Sequence, residues 1–324
     1  TPDHIKAAVE VCRDKPFTPA VDRGRTLVSS YAQAVEIGPA PVVIGERINP
    51  TGKKKFQQAL RDHNIEYLLN EAFAQEEAGA QVLDVNVGLP EIDEPALLVE
   101  VMESLQAVLP LPLQLDTSDP EAMERAMRRY NGKPMLNSVS GKAESMAALF
   151  PLVKKYGGVV VGLALDENGI PPTAEGRLAI AKKICDTAAR YGIPKKEIVI
   201  DPLTLTISSE PEAAKVTLEA VGRIKKELGV STILGVSNVS FGLPKRELVN
   251  TAFFTMALQQ GLDCAILNPN NAAMMGAWRG YQALMGLDPQ CGLYIAAYGG
   301  QETTAAPVSS TNAPSLTDCV LRGS

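Results

Sequence analysis

Short apolar runs alternate with longer amphipathic stretches along most of the chain. The runs are rich in Val, Ile and Leu and have fewer than ten residues each, which is typical of strands buried on both faces of a parallel sheet. They predict eight strands, at residues 42–48, 82–87, 111–117, 134–140, 158–165, 198–203, 232–240 and 264–269.

The stretches between the runs place apolar residues at helical spacing. Asp119 stands directly before Pro120, so a capping side chain precedes proline at the first helical position. Gly157 and Gly229 follow the last apolar position of their helices, where a left-handed cap is needed. The pattern predicts helices at residues 64–79, 119–130, 143–156, 173–191, 210–228 and 246–261.

Eight strands in alternation with helices fit either a closed barrel or an open, doubly wound sheet. Eight strand–helix units over about 250 residues favour the barrel. The phosphate loops of nucleotide-binding sheets, GxGxxG and GxxxxGK[ST], do not occur in the sequence. The predicted fold class is therefore α/β, a (β/α)8 TIM barrel with a short N-terminal extension and a C-terminal linker.

The flanks of the predicted barrel have a different pattern. Residues 1–39 predict one helical stretch followed by a polar, irregular segment. Residues 301–315 are rich in Ala, Ser, Thr and Pro, as flexible linkers are, and residues 315–322 predict the start of a helix. The predicted domains are an N-terminal segment at 1–39, the barrel at 40–299, and a linker with the start of a further domain at 300–324.

Composition and charge exclude several classes of function. The 324 residues carry a formal net charge of −6, which argues against sequence-independent nucleic-acid binding and against binding to anionic membranes. No apolar run approaches the roughly 20 residues that span a bilayer, and the polar start of the chain predicts no signal peptide. Five scattered cysteines and two histidines form no zinc-binding pattern, and a cytoplasmic location is predicted.

Nearly every predicted strand ends in a carboxylate or a side-chain amide. In a barrel these groups meet at the C-terminal mouth, where barrel enzymes place their active sites. Any single one could cap a helix or fix a turn, but burying so many polar groups without partners is costly, so the whole set favours a bound polar ligand. The set comprises Glu46, Asn49, Asp84, Asn86, Asp116, Asn137, Asp166, Asp201, Asn238 and Asn268.

The residue types at this predicted mouth limit the kind of ligand. Positive charge comes from Arg47 and the region of Lys245 and Arg246 alone, which disfavours a polyphosphate. Carboxylates and amides suit a neutral heterocycle with an amidine-like edge, such as a pterin or a purine, because adjacent N–H groups fit a carboxylate through two hydrogen bonds. A Mg²⁺ site is an alternative, against which the many interspersed asparagines argue.

Six segments of the sequence occur in the same order in one protein family. They are GERINPTG in the first strand, LDVNVG in the second, LDTS in the third, LNSVS in the fourth, IDPL in the sixth and GVSNVSFGLPKR in the seventh. Across residues 41–297 the chain resembles the pterin-binding methyltransferase domains of cobalamin-dependent methionine synthase. TPDHIKA at the start resembles the segment after the zinc-binding cysteines of the homocysteine domain, and LTDCVLRG at the end resembles the start of the helical cap of the cobalamin module.

The resemblance implies a role for each matching residue. Asp116, Asn137 and Asp201 match residues that hydrogen-bond the pterin ring, and Asn238 matches the residue that contacts N5 of the folate. Asp116 and Asn238 are the predicted catalytic residues. The predicted substrate-binding residues are Glu46, Asn49, Asp84, Asn86, Asp116, Asn137, Asp201, Asn238, Ser240 and Arg246.

The implied reaction transfers the N5 methyl group of 5-methyltetrahydrofolate to cob(I)alamin, the folate half-reaction of methionine synthesis. The implied partners are a cobalamin-binding domain or protein and a homocysteine domain that holds zinc, both outside this chain, and no metal is expected in the barrel. One alternative is a dihydropteroate synthase-like enzyme, although SNVSFGLPKR stands where a Ser-Arg-Lys run would be expected. The others are a non-catalytic folate-binding module and a metal-dependent barrel lyase.

Overall fold

The computed structural model describes residues 1–16 and 21–299. Eight parallel strands close into a barrel in which each strand pairs with the next along the chain and the last pairs with the first. The strands are β3 (Val42–Ile48), β4 (Val82–Val85), β5 (Leu113–Asp116), β6 (Met135–Ser140), β7 (Val159–Leu163), β8 (Ile198–Asp201), β9 (Ser231–Gly235) and β10 (Cys264–Leu267). The predicted (β/α)8 fold is confirmed.

The helices follow the strands as the apolar spacing predicted. Asp119 accepts hydrogen bonds from the backbone N–H groups of Glu121 and Ala122, so it caps the helix that Pro120 begins. Gly229 has a left-handed conformation with φ +66°, and it ends a π-helical turn, Ile224–Leu228, that extends α8. The helices are α1 (Pro2–Cys12), α2 (Lys54–Arg61), α3 (Ile65–Glu77), α4 (Glu94–Val108), α5 (Pro120–Arg129), α6 (Ala143–Tyr156), α7 (Ala174–Arg190), α8 (Ala213–Arg223), α9 (Arg246–Gln259), α10 (Ala272–Leu284) and α11 (Gly292–Tyr298).

The apolar side chains form two layers. The outer layer lies between strands and helices and includes Leu98, Met102, Phe150 and Ile184, all buried. The inner layer fills the barrel with branched side chains such as Ile44 and Val161. Because both faces of every strand are covered, the strands have the continuous apolar sequence from which they were predicted.

A β-hairpin lies at the end of the barrel where the strands begin. Strand β1 (Thr26–Ser29) pairs with the antiparallel strand β2 (Ala34–Ile37), and Ser29 also bridges to Lys133 just before β6. Val28 and Ile37 are buried and belong to the inner apolar layer. The prediction of an irregular segment after the first helix was therefore wrong at residues 26–37, because the four-residue strands are ordered by packing on the barrel.

The predicted strand at residues 232–240 was wrong in its second half. Strand β9 ends at Gly235, and the chain continues as a 3₁₀ helix, Val236–Ser240. The prediction failed because Val236 and Val239 are both buried and therefore prolong the apolar run into a helical turn.

The density of internal contacts divides the chain after Trp278 into a first unit, Thr1–Trp278, which contains the barrel, and a second unit that starts at Arg279. In the second unit the described residues end with α11 and Gly299. The predicted linker and helix start at residues 300–324 lie outside the described residues. The predicted domain boundaries at residues 39 and 299 stay predictions.

Candidate functional site

Parallel strands place the polar residues at their carboxyl ends around one mouth of the barrel. Asp116 and Asp201 are the last residues of β5 and β8, while Glu46 and Asn137 lie within β3 and β6 near their ends. Asp84 lies in β4 and Asn86 directly follows that strand. The structure therefore brings these six predicted residues to the same end of the barrel.

Asp84 and Asp116 form the centre of a hydrogen-bonded group of acids and amides. Asn86 Nδ2 donates to Asp116 Oδ2 at 3.0 Å, and Gln114 Nε2 donates to Asp84 Oδ1 at 2.6 Å. Asn137 lies opposite Asp116 on the neighbouring strand β6. The hydrogen bonds from Asn86 and Gln114 hold both carboxyl groups in place. The Asn86 amide engages Oδ2 of Asp116 and leaves Oδ1 for another donor.

Burial and mutual repulsion raise the pKa values of both acids. Removal from water is the largest cause at Asp84 and raises its pKa well above the usual value, and the nearby charge of Asp116 adds to the rise. Burial also raises the pKa of Asp116, to about 6, against the hydrogen bond from Asn86. The pair therefore binds a proton more readily than two separate, exposed aspartates would.

Asp201 lies across the mouth from this pair, at the end of β8. Its Oδ1 accepts a hydrogen bond from the backbone N–H of Leu203 at 2.7 Å. Burial raises the pKa of Asp201 to about 7, although the Leu203 hydrogen bond and the positive charge of Arg177 both oppose the rise. Asp201 is thus an acid that changes its charge near neutral pH.

Glu46 lies between the acid pair and the loop after β9. Its Oε1 accepts from the Ser237 hydroxyl at 3.4 Å, and burial raises its pKa. Lys53 Nζ donates to the backbone carbonyl oxygens of Glu46 and Arg47 at 3.0 and 3.1 Å. The prediction that Arg47, Lys245 and Arg246 alone bring positive charge here was therefore wrong: Lys53 adds a cation, and Arg47 pairs with Glu71 on α3 at 3.1 Å.

Asn238 is the exposed residue of the 3₁₀ helix after β9. A Cβ atom at Gly235 would lie 2.9 Å from Asn238 Nδ2, so the amide rests against the backbone at the end of the strand. Only a glycine leaves that room. The amide is therefore held beside the mouth and remains accessible to solvent.

Ser240 and Arg246 hold the loop that carries Asn238. Arg246 Nε donates to Ser240 Oγ at 3.0 Å, and its Nη2 donates to the Ser237 carbonyl oxygen at 2.7 Å. The guanidinium group also lies 4.5 Å from the centre of the Phe241 ring. Since Ser240 is fully buried, the observed contacts of both residues stabilise the loop.

Five of the polar residues at strand ends form turns with their own loops. Their side-chain oxygens accept from the backbone N–H two residues later, at 2.7 to 3.1 Å; these residues are Asn49, Asn86, Asp166, Asp201 and Asn268. The alternative of a local turn therefore describes one contact of each side chain, and Asn86 in addition donates to Asp116.

Two residues that the sequence analysis did not select contribute to the site. Gln114 is fully buried, and among the described residues its Oε1 has no hydrogen-bond partner. Arg177 is also fully buried, and it contacts the loop that follows Asp201. The signal in each case is a polar residue at a position where the strand or helix pattern requires an apolar one.

A cavity of about 350 Å³ opens between the β5–α5 loop and the start of α6, and its lining includes neither Asp84 nor Asp116. It is lined by residues of the β5–α5 loop, including Thr117 and Asp119, and by Ser138, Glu144 and Ser145 near the start of α6. Within the two described ranges no group of three or more His, Cys, Asp or Glu residues is arranged to hold a metal ion. No helix in those ranges is long and apolar enough to cross a membrane.

A closed parallel barrel with acids and amides at its C-terminal mouth belongs to the (β/α)8 class, in which functional sites lie at that end. The family described as pterin-binding enzymes matches residues 45–268. The chain belongs to this family, and the resemblance noted in the sequence is confirmed.

The relatives of the chain include a methylcorrinoid:tetrahydrofolate methyltransferase and a methionine synthase. The methylcorrinoid:tetrahydrofolate methyltransferase of Eubacterium limosum is 32% identical over 266 residues, which cover 79% of this chain and 96% of that protein. The methionine synthase of Mycobacterium leprae is 32% identical over 289 residues, which cover 83% of this chain and 24% of that protein. The match therefore covers almost the whole of the Eubacterium protein and about a quarter of the Mycobacterium methionine synthase.

The similar solved structures support the fold. A dihydropteroate synthase from Xanthomonas albilineans with 4-aminobenzoic acid has a TM-score of 0.63 and 22% identity, and covers 80% of this chain and 98% of its own. A Yersinia pestis dihydropteroate synthase with a sulfonamide drug has a TM-score of 0.64 and 15% identity, covering 81% and 99%. At this level of identity the likeness concerns the barrel alone.

Proposed function

We propose that the chain binds a reduced folate at the C-terminal mouth and moves a methyl group between N5 of that folate and the cobalt of a corrinoid. The observation that carries the proposal is the meeting of Asp116, Asn137 and Asp201 at one mouth, in a family that binds pterins. The corrinoid, bound by another domain or protein, supplies a strongly nucleophilic cobalt. A homocysteine domain that holds zinc remains a proposed partner of the longer protein.

The proposed methyl transfer can run in either direction, from folate to corrinoid or from corrinoid to folate. The sequence prediction has the methyl group leave 5-methyltetrahydrofolate, whereas the name of the Eubacterium relative has it leave a methylcorrinoid. A catalyst stabilises one transition state for both directions, so the same residues serve both. The concentrations of the folate and corrinoid forms then set the direction.

The pterin ring would be recognised by the carboxylate oxygens at the mouth that the contacts with Leu203 and Asn86 do not use. Asp201 uses Oδ1 for Leu203, and Asp116 uses Oδ2 for Asn86. The remaining carboxylate oxygens accept hydrogen bonds from the amino and ring N–H groups of the pterin, and Asn137 can donate as well as accept. Two acids and an amide thereby fix the ring in one orientation.

The chemical difficulty is that methyl loss from an unprotonated tertiary amine would expel a nitrogen anion, which is a poor leaving group. N5 must gain positive charge before or during methyl transfer, and a group beside it must accept a hydrogen bond from the protonated form. The Asn238 amide suits both states, because its oxygen accepts and its nitrogen donates. Asn238 therefore orients N5, while water at the exposed mouth carries the proton.

Transfer to free corrinoid tests the proposal. The protein is mixed with methyltetrahydrofolate and cob(I)alamin, and the visible spectrum reports the methylated corrinoid; the reverse mixture is methylcobalamin with tetrahydrofolate. We expect protein-dependent turnover in at least one direction. Folate binding without turnover in either would identify a non-catalytic binding module instead, and activity lost to EDTA would indicate a metal-dependent enzyme.

The affinity for methyltetrahydrofolate should rise with pH. Below pH 7 Asp201 is increasingly protonated and loses a charged acceptor, and Asp116 follows near pH 6, since their pKa values are about 7 and about 6. Each proton that must be lost on binding weakens affinity by up to about tenfold per pH unit. Calorimetry between pH 5.5 and 8.5 measures this slope. A flat profile would contradict a direct role of these carboxylates.

A further inference from the structure

Arg177 lies on the buried face of α7, three to four residues before Ile180 and Ala181. Its side chain is 1% exposed. A buried arginine needs hydrogen-bond acceptors for its guanidinium group, because an unpaired buried charge is strongly destabilising. Its partners therefore indicate what the residue does.

The partners of Arg177 lie in the loop before α7, in the loop after β8 and on α8. Nε donates to the Pro171 carbonyl oxygen at 3.1 Å. Nη1 lies 3.0 Å from the Pro202 carbonyl oxygen and 2.8 Å from that of Leu203. It also lies 2.9 Å from the hydroxyl of Thr217, which itself contacts the Leu203 carbonyl oxygen at 3.0 Å.

These contacts stabilise an unfavourable turn. Leu203 has a φ of +71°, a left-handed conformation that is unfavourable for a residue with a side chain. That conformation directs the backbone N–H of Leu203 to Asp201 Oδ1 at 2.7 Å. Arg177 donates to the carbonyl oxygens of Pro202 and Leu203 in the same turn. The orientation of the Asp201 carboxylate therefore depends on Arg177 through the position of this turn.

The charge of Arg177 also acts on Asp201. Among the described residues, Arg177 is the charged side chain whose electrostatic attraction lowers the pKa of Asp201. The charges of Asp201 and Glu210 in turn raise the pKa of Arg177, against the effect of burial. The strands on either side, β7 and β9, contain no ionisable residue. Arg177 is thus the cation that offsets the burial of Asp201.

We propose that Arg177 is a positioning residue for Asp201, which orients the acid through the turn at Leu203 and places a positive charge behind it. The inference rests on the proposed function, since Asp201 is taken to bind the pterin ring. Arg177 touches neither the ring nor the methyl group.

Two substitutions separate charge from shape. Arg177→Gln keeps a donor for the carbonyl oxygens and removes the charge, whereas Arg177→Lys keeps the charge and loses the planar fork. Arg190→Gln changes an exposed arginine at the end of the same helix and serves as the control. Circular dichroism and thermal unfolding verify that each variant is folded before it is compared.

Two readouts are needed. The first is the titration of the Asp201 carboxyl carbon in protein labelled with ¹³C-aspartate, assigned through Asp201→Asn. The second is the affinity for methyltetrahydrofolate as a function of pH. In Arg177→Gln we expect both midpoints to move up by about one pH unit, the lower end of the usual effect of one opposite charge. Affinity lost at pH 7 should then return at pH 8.5.

Arg177→Lys should leave the Asp201 midpoint close to that of the wild type and weaken binding equally at every pH, because orientation alone is impaired. Unchanged midpoints in Arg177→Gln would overturn the proposal, as would an equal shift in Arg190→Gln. Wild-type protein that binds no folate would refute the proposed function, while the carboxyl titration would still test the link between Arg177 and Asp201.

Discussion

Replacing Asp201 with alanine should weaken methyltetrahydrofolate binding by about 2–4 kcal/mol, or roughly 30- to 700-fold in Kd. The loss is large because the carboxylate is half-buried at the end of β8, so its hydrogen bonds to ring N–H groups form with little competition from water. The alanine variant should fold normally, since it removes an acid whose ionised form burial disfavours. Isothermal calorimetry at pH 8, where wild-type Asp201 is ionised, measures the difference.

Asp166→Ala is the matched control for this experiment. Asp166 follows the neighbouring strand β7 and makes the same kind of local turn as Asp201, since its carboxylate accepts from the backbone N–H of Asn168 at 2.8 Å. The two variants therefore lose the same local hydrogen bond and differ in whether the acid is proposed to bind the ring. We expect its Kd to change by less than about threefold, as for a surface substitution. Unchanged binding in Asp201→Ala, or equal losses in both variants, would contradict ring recognition by Asp201.

Replacing Asn238 with alanine should slow methyl transfer by on the order of 100-fold and raise the Kd for the folate only severalfold. The difference arises because the amide contributes most when N5 carries positive charge, so its removal affects the transition state more than the bound substrate. Single-turnover kinetics with saturating folate and free corrinoid isolate the chemical step.

Asn268→Ala provides the control for Asn238. Asn268 also follows a barrel strand, and its side-chain oxygen accepts from the backbone N–H of Asn270 at 3.1 Å. Its loss should leave the rate of transfer nearly unchanged. If Asn238→Ala reduced binding and rate by the same factor, Asn238 would hold the ring in general and have no specific role at N5.

The barrel could be predicted because each strand is a continuous apolar run, a pattern that depends on neighbouring residues alone. The failures involve contacts between distant parts of the chain. The 3₁₀ helix after Gly235 depends on bonds from Arg246, which lies in α9. The hairpin at residues 26–37 depends on Lys133 and on the barrel interior.

The candidate site was predictable to the same extent. Parallel strands bring their ends together whatever the loops do, so Asp84, Asp116 and Asp201 could be assigned to one mouth from their places in the sequence. The use of each side chain was not predictable, because Asn49 and Asn268 look like Asn137 in sequence and turn back on their own loops. Nor does a sequence pattern reveal that Arg177 on α7 supports a turn after β8.

The hairpin at the start of the barrel has a consequence for the order of events. Val28 and Ile37 lie against an interior already filled by apolar side chains, so the residues that the structure describes leave no passage at that end of the barrel. Under the proposed methyl transfer, folate and corrinoid carrier would therefore use the same mouth, and the folate would have to bind before the carrier and leave after it.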